Sequence, residues 1–563
     1  MKCKREDSRK GQLAGCLFLY CKIVQFFNSA SLYPSNDDSK CIFFHGMVLY
    51  NKTKICLNSL GETDMGNHYK NRREARIRQR LQGEEKEGGN AAGFNAAMES
   101  AAHGGRLGRF NARQGHGYAA EQVNDLIDSL SGSGVLRTMP QEKLREAERL
   151  YIAYQLDEAR GLFEELAQAG NARAMYVLGR YYDASDWGWK GADAGDVLAE
   201  LYVAESREDD EQKTAMLEEL FPRVYELAEQ GDVFACHEVA RMFWHGRGTR
   251  GDEQKAIYYW RTAAGAGFWD SMRELGDRFE EQGNYKKAAE WFKKLAEAGC
   301  DEGWFGLGWI YKEGEGGIVC EKEAIHCCQK AYEMQGIWAG EAANMIGCIL
   351  AEHENYKEAN AWFRKSGEAG SDRGWYNLAA SYNQGKGLKS DKERAKECFL
   401  KAYAMQGICA GDAADHIGRI LAGRENYKEA NAWFRKSGEA GSDWGWYHLA
   451  VSYDHGNGLR SDKEKAKEYY LKAYEMQGDC AGDAALAIGM AFDENEEYTK
   501  AYEWFRKAAE AGSDWGYFKL GICCLEGKVV TESSIKSLEC FTKAYKMNGD
   551  AADAAKAVMD AIR

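Results

Sequence analysis

Residues 355–407 read NYKEANAWFRKSGEAGSDRGWYNLAASYNQGKGLKSDKERAKECFLKAYAMQG, and residues 426–478 repeat this stretch almost unchanged. Looser copies begin at Asn284 and near Glu497. Equivalent positions stay 71 residues apart, and the tryptophans that mark this step are Trp291, Trp362, Trp433 and Trp504. A period that holds without drift over four copies predicts a repeat architecture.

Each 71-residue period divides into two helical hairpins. In the second hairpin, Tyr376 and Tyr382 lie on one face at helical spacing, and Gly385 then breaks the helix. The Ser-x-x-Glu pattern at 390–393 predicts a capping box that starts the next helix, and Gly407 ends that helix. One hairpin has too little apolar surface to fold alone, so stacked neighbours must share a continuous core.

This pattern resembles the Sel1-like repeat, a relative of the tetratricopeptide repeat. The residues that carry the resemblance are Trp375, Tyr376, Leu378, Ala379, Tyr382, Gly385, Gly387, Asp391, Ala395, Lys401, Ala402 and Gly407. The resemblance covers roughly residues 140–549. The alternate hairpins have a shorter turn, as at 354–355, nearer to the tetratricopeptide form. The family implies a right-handed α-solenoid of stacked antiparallel helical hairpins that serves as an interaction scaffold, and it implies no catalytic reaction.

Composition narrows the class of function. The formal net charge is −14 and the sequence pI is near 5.5, which argues against general nucleic-acid binding. The 17 cysteines are an odd number, and the chain has no Cys-x-x-Cys pair that would indicate zinc. We therefore expect reduced thiols, a cytoplasmic protein and no cofactor or metal. Cys320 with Cys327 or Cys328 mimics once the cysteine pair of a secreted Sel1-like branch, which leaves secretion as the alternative.

The start of the chain differs from the rest. Residues 1–64 show no helical period, and we expect them to be either disordered or untranslated, with Met47 or Met65 as the start. Residues Leu13 to Cys16 match a lipobox, which would indicate export. A lipobox should stand at the end of an apolar run, but this one stands at its beginning. Export is therefore only the alternative. The chain has no stretch of 18 apolar residues, so the sequence predicts no membrane span.

The sequence predicts four further segments. They are a basic and then Gly/Ala-rich linker at 65–139 with a short helix near 119–130, degenerate repeats at 140–231, the Sel1-like array at 232–549, and a capping helix at 550–563. The basic run at 70–80 either contacts nucleic acid or an acidic partner, or is a solvated tail. Within the degenerate repeats we expect a loop at Trp187-Gly188-Trp189, with helices near 194–205 and 211–230.

Catalytic motifs are absent from the sequence. His237-Glu238 and His353-Glu354 lack the second histidine of a metalloprotease helix. The Gly-Lys-Gly at 385–387 has no following Ser or Thr, so it is a turn rather than a phosphate loop. The sequence therefore predicts a protein that is not an enzyme.

One set of aromatic residues suggests a binding surface. Trp304, Trp375, Trp446 and Tyr517 occupy one equivalent position in four successive copies, and Trp444 and Trp515 add rings beside them. One interpretation is that these rings pack between neighbouring hairpins. The other is a ladder of outward aromatic anchors on the first-helix face, which in such solenoids lines the concave groove.

Two functions remain open from the sequence. The first is a cytoplasmic bacterial adaptor that holds a protein or peptide partner in the groove. The second is an exported effector, or a Sel1-like hydrolase of the disulfide-rich type.

Overall fold

The computed structural model describes residues 135–314, 319–527, 529 and 533–562, and within these residues every regular element is an α-helix. The predicted segment 1–64, nearly all of the segment 65–139, its basic run at 70–80 and its helix near 119–130 lie outside the described residues. The described residues form two compact units, residues 135–342 and residues 343–562.

The N-terminal unit consists of twelve helices and the start of a thirteenth. These helices are α1 (Val135–Ile152), α2 (Leu156–Gln168), α3 (Ala172–Tyr181), α4 (Ser185–Asp193), α5 (Val197–Glu205), α6 (Asp210–Glu229), α7 (Val233–His245), α8 (Glu253–Gly265), α9 (Trp269–Glu281), α10 (Tyr285–Glu297), α11 (Asp301–Glu313), α12 (Glu321–Glu333) and α13 (Ala339–Glu352).

The C-terminal unit continues with helices of nearly constant length. They are α14 (Tyr356–Glu368), α15 (Asp372–Gln384), α16 (Lys392–Ala404), α17 (Ala410–Ala422), α18 (Tyr427–Glu439), α19 (Asp443–His455), α20 (Lys463–Glu475), α21 (Ala481–Glu494), α22 (Tyr498–Glu510), α23 (Asp514–Glu526), α24 (Ser534–Lys546) and α25 (Ala552–Ile562). Consecutive helices pack against each other, which confirms the predicted solenoid of helical hairpins. We call α13, α15, α17, α19, α21 and α23 first helices, and α14, α16, α18, α20 and α22 second helices.

The hairpin of α15 and α16 shows why the repeat pattern folds in this way. Gly385 ends α15 in the left-handed conformation, with φ of 76°. At Gly387 a Cβ atom would lie 2.6 Å from the Cβ of Tyr356, so only glycine fits this turn. Small and aromatic side chains fill the core between the helices, such as Ala395 and Phe399, which are both fully buried.

The predicted capping box at Ser390 is wrong. The N-cap of α16 is Asp391, whose carboxylate accepts hydrogen bonds from the backbone N–H groups of Glu393 and Arg394 at 3.0 and 3.1 Å. Ser390 instead donates its hydroxyl to the carbonyl of Asn383. Because the chain reaches the helix in an extended conformation at residue 391, the aspartate and not the serine is aligned with the free N–H groups.

An aspartate at the start of one helix caps a helix of the following hairpin. Oδ2 of Asp443 accepts a hydrogen bond from the backbone N–H of Cys480, which precedes α21, at 2.8 Å. A Cβ at Gly478 would lie 2.7 Å from the Cγ of this aspartate, which explains the glycine that closes each repeat. The equivalent bonds join Asp301 to Trp338, Asp372 to Cys409 and Asp514 to Ala551.

The N-terminal unit differs from prediction in two places. The expected loop at residues 187–189 is part of α4, because Gly188 packs in contact with Gly179 and against the ring of Tyr202. The first described helix begins at Val135, ahead of Pro140, where the array was expected to start. The long helix predicted near 211–230 is confirmed as α6, whereas the helix predicted near 194–205 is the shorter α5, which begins only at Val197.

Deleting residues 355–425 should leave a protein that still unfolds cooperatively. The deletion joins Glu354 to Asn426, and every remaining helix keeps a neighbour of the type that it has now, so nearest-neighbour stability is preserved. Deleting residues 355–371, which removes α14 alone, should expose the apolar faces of its neighbours and cause aggregation. Chemical denaturation and size-exclusion chromatography compare the two proteins. Equal damage from both deletions would contradict the repeat model.

Candidate functional site

The structure separates the six predicted binding residues into two sets. The rings of the first set, Trp304, Trp375, Trp446 and Tyr517, are half-buried rather than outward-facing. Trp446 shows the arrangement: its Nε1 would lie 2.8 Å from a Cβ at Gly438 of α18, and its ring stacks on Tyr469 of α20 at 5.5 Å between centroids. Trp446 is thus wedged between two second helices, as in the interpretation that these rings pack between neighbouring hairpins.

Each ring of this set lies beside a lysine that follows it by 26 residues. The ammonium groups lie 4.0 Å from the ring centroid at Trp304 and Lys330, 4.1 Å at Trp375 and Lys401, 5.5 Å at Trp446 and Lys472, and 5.4 Å at Tyr517 and Lys543. Such cation–π contacts stabilise the interface between helices. Tyr517 and Lys543 border an open cleft of about 380 Å³.

Trp444 and Trp515 form the second set. They precede Trp446 and Tyr517 by two residues, which places them on the opposite side of the same helices. Both are half-buried. The ring of Trp444 stacks on His448 at 5.6 Å between centroids and meets Tyr447 edge-on at 5.5 Å. These two tryptophans therefore lie on the first-helix face, the surface that the second of the two interpretations assigned to the rings.

Polar side-chain pairs join successive first helices on this same face. The pairs are Asn344 with Asn377 at 2.8 Å, Tyr376 with His416 at 3.1 Å, and Asp415 with His448 at 3.6 Å. They run in order from α13 to α15, from α15 to α17, and from α17 to α19. The first and third pairs use equivalent positions of the repeat, 71 residues apart, and the second pair joins the residues next to them, so the three form a ladder with one rung for each helix step.

Burial controls the charge of two ladder residues. It lowers the pKa of His448 to about 3, and the positive charge of Arg419 acts in the same direction. Burial also raises the pKa of Tyr376 well above its usual value. At neutral pH the ladder thus presents a neutral imidazole and a protonated phenol, both of which can form hydrogen bonds without carrying charge.

The ladder becomes more apolar beyond α19. The equivalent positions hold Tyr447 with Ala487, and then Leu486 with Lys519. Half-buried Met490, Trp515 and Ile522 lie on the same first helices. The ladder face consists of the polar pairs, Arg373, Ala380, Arg419, Trp444, Tyr447, Val451, Leu486, Ala487, Met490, Trp515, Lys519 and Ile522.

Sequence reasoning identified only Trp444 and Trp515 of the ladder face. Tyr376 and its equivalent Tyr447 are motif residues, and most of the others occupy positions that the repeat motif leaves unspecified, so the motif could not identify them as one surface. The signal that would have found them is the comparison of residues 355–425 with residues 426–496, because the two copies differ at most of these positions.

A Ser-His-Asp group in the N-terminal unit is structural. Nδ1 of His237 lies 2.8 Å from Oγ of Ser271, and its Nε2 lies 3.4 Å from Oδ2 of Asp270. All three residues are buried, and Ser271 is fully enclosed, so no substrate carbonyl can reach the hydroxyl. This group has the residue types of a catalytic triad, but a substrate cannot reach it. Its contacts hold α7 against α9.

Two further observations describe the part of the chain that the structure covers. None of its helices combines the length and the apolar composition that crossing a bilayer requires. In residues 135–562, as far as they are described, no three His, Cys, Asp or Glu side chains are grouped to hold a metal ion, and the twelve cysteines there are free thiols.

Comparison with known proteins identifies the repeats. A family model described as Sel1 repeat matches nine segments, residues 233–268, 269–300, 305–335, 351–371, 376–406, 418–442, 447–477, 494–513 and 516–549. The comparison with curated protein sequences gives no match.

Two solved structures are similar to this chain. One is a protective antigen of uropathogenic Escherichia coli strains that displays an SLR fold, with 28% identity, a TM-score of 0.41, and coverage of 65% of this chain and 80% of that chain. The other is a Sel1 repeat protein from Oxalobacter formigenes, with 20% identity, a TM-score of 0.43, and coverage of 56% and 92%. On the strength of the nine matched repeats and the helical hairpins that they form, the chain belongs to the Sel1 repeat family.

Proposed function

We propose that this protein is a non-catalytic, cytoplasmic scaffold that holds a protein or peptide partner on the ladder face of its C-terminal unit. Sel1 repeat proteins are generally protein-interaction scaffolds. The observation that supports the ladder face in particular is its continuity. Hydrogen-bonding and aromatic side chains follow one another on the first helices from α13 to α23, and all but the buried Asn344 and Asp415 are half-buried.

The chemistry of this face suits a polypeptide ligand. Amide, imidazole and phenol groups can pair with the backbone and side chains of a partner. Trp444 and Trp515 add broad rings that bury much area at little entropic cost, which is why tryptophan is enriched in binding hot spots. The first set of rings, represented by Trp446, is already covered by neighbouring second helices. We assign that set a mainly structural role.

Trp444→Ala and Trp446→Ala, two residues apart in α19, should separate binding from stability. We expect Trp446→Ala to cost about 2 kcal/mol of unfolding free energy, below the ~3–5 kcal/mol of a fully buried ring. Trp444→Ala should cost less than about 1 kcal/mol of stability but should weaken peptide binding by about 2 kcal/mol, roughly 30-fold. Chemical denaturation measures the first effect. Calorimetry measures the second, with peptides selected on the wild-type chain from a random displayed library.

Trp446→Ala is the matched control for binding, since it removes the same side chain from the opposite side of the same helix. Binding that falls with Trp446→Ala and is retained with Trp444→Ala would contradict the assignment of the ladder face. Failure of the wild-type chain to enrich any peptide, together with a monomeric state in solution, would contradict the proposed function itself.

A further inference from the structure

A pair of cysteines lies between the two helices of the hairpin formed by α23 and α24. Cys524 of α23 is buried, and Cys540 of α24 is half-buried. A hydrogen bond joins the two thiols. The two sulfur atoms therefore lie next to each other across the contact between the helices.

The repeat explains why these two positions meet. The equivalent residues of the preceding copy, 71 positions earlier, are Tyr453 of α19 and Tyr469 of α20. Their rings are stacked, with centroids 5.5 Å apart and an angle of 14° between the ring planes. One copy further back the residues are Tyr382 and Cys398, which are both buried in the same core. Contact between these positions is thus a property of the hairpin, and the copy at α23 and α24 places a sulfur atom on both sides.

The surroundings of the pair favour the protonated thiols. Burial raises the pKa of Cys524, against the positive charge of Lys536. Burial also raises the pKa of Cys540, as do the neighbouring Cys524 and the negative charge of Glu539, and only Lys543 opposes this effect. The thiolate is the form that reacts with oxidants, so the pair should react slowly at neutral pH and stay reduced until an oxidant is present.

We propose that Cys524 and Cys540 are an oxidation site at which a peroxide converts the two thiols into a reversible disulfide that locks α23 to α24. The two residues are 16 positions apart, unlike Cys320 with Cys327 or Cys328, which are 7 or 8 positions apart. Disulfides in cytosolic proteins are usually transient and redox-sensing, so such a site suits a cytoplasmic protein. Neither thiol is part of the ladder face, and the bond can form whether or not a partner is held there.

The chemistry consumes one molecule of hydrogen peroxide. The thiolate of Cys540, the more exposed of the two residues, attacks one peroxide oxygen and the O–O bond breaks. This step gives a sulfenic acid at Cys540, and the hydroxide that leaves takes up a proton to become water. The thiolate of Cys524 then attacks the sulfur of the sulfenic acid and displaces a second hydroxide, which is also protonated. Two thiols and one peroxide thus give one disulfide and two waters, and a thiol reductant reverses the change.

The place of the pair in the array gives the bond its effect. In a repeat array each hairpin is stabilised mainly by its neighbours. Among the described residues only α25 follows α24, whereas the inner hairpins have a complete hairpin on each side. The hairpin of α23 and α24 should therefore open more readily than the inner ones. A disulfide between its helices limits this opening, because it closes a loop of about 16 residues in the unfolded chain.

Peptide mapping of the full chain tests the site. The protein is treated with hydrogen peroxide, the remaining thiols are blocked with N-ethylmaleimide, and a tryptic digest is analysed by mass spectrometry with and without dithiothreitol. We expect peptides 520–528 and 537–543, which contain the two cysteines, to be linked after peroxide and separate after reduction. The melting temperature of the oxidised chain should be about 5 °C above that of the reduced chain.

Three single variants separate the pair from the neighbouring thiol. Cys524→Ala and Cys540→Ala should each abolish both the link and the rise in melting temperature. Cys523→Ala is the matched control, since it removes a half-buried thiol one residue away, close to Asp493 of α21. This control should retain both effects. Melting of the reduced proteins is measured first to establish that each variant folds, and the mapping of the wild type decides the question if one does not.

Several results would overturn the proposal. One is a wild type in which N-ethylmaleimide still labels Cys524 and Cys540 after peroxide, and another is oxidation of either thiol to a sulfinic acid without a link. A third is a link between Cys540 and Cys523, which Cys523→Ala would abolish and Cys524→Ala would retain. A link that leaves the melting temperature unchanged would overturn the lock between the helices. None of these results concerns the ladder face, so the proposed function would stand.

Discussion

Gly445→Ala should strongly destabilise the C-terminal unit. Gly445 of α19 lies against the backbone of α18, where a Cβ atom would be 2.6 Å from the carbonyl oxygen of Phe434 and closer still to the amide nitrogen of Gly438. Backbone atoms of a packed helix cannot turn away as a side chain can, so the two helices would have to separate. We expect a loss of at least ~4 kcal/mol in the unfolding free energy, measured by chemical denaturation.

Gly161→Ala in α2 is the control for this prediction. No heavy atom lies within 4 Å of the position that its Cβ would occupy. Because alanine loses less backbone entropy than glycine on entering a helix, this change should stabilise the protein by roughly 0.5–1 kcal/mol. Similar effects of the two substitutions would show that α18 and α19 do not approach as closely as the structure has them.

Gly478→Ala and Asp443→Ala should each destabilise the C-terminal unit, and together they should cost less than the sum of their separate effects. A methyl group at residue 478 would collide with the carboxylate of Asp443, at an expected cost of about 3 kcal/mol. Removing that carboxylate leaves the N–H of Cys480 without its acceptor, at about 2–3 kcal/mol. In the double variant the collision disappears and only the lost cap remains.

A double-mutant cycle in chemical denaturant measures this coupling. We expect the free energy of unfolding of the double variant to be close to that of Asp443→Ala alone. It should be higher than the value obtained by adding the two separate losses. The equivalent pair Asp372 and Gly407 in the preceding copy serves as an independent repetition, because it has the same hydrogen bond and the same close approach. Strict additivity at both pairs would contradict the account of the closing glycine as a partner of the capping aspartate.

The sequence by itself determined the fold. The 71-residue period is visible when the sequence is compared with itself, and apolar residues at helical spacing and turn glycines such as Gly385 depend only on a few neighbouring residues. None of these signals requires knowledge of a tertiary contact. The same signals predicted helices α5 and α6 and the division of each period into two hairpins.

Only the tertiary structure decided which surface is available to a partner. Helical periodicity places Trp444 and Trp446 on opposite sides of one helix, but it cannot tell which side a neighbouring helix covers. The answer depends on how neighbouring helices pack: Gly438 of α18 and Tyr469 of α20 enclose Trp446, whereas Trp444 lies beside His448 on the ladder face. The ladder pairs follow the same rule, since each joins residues more than 30 positions apart that meet only when the hairpins stack.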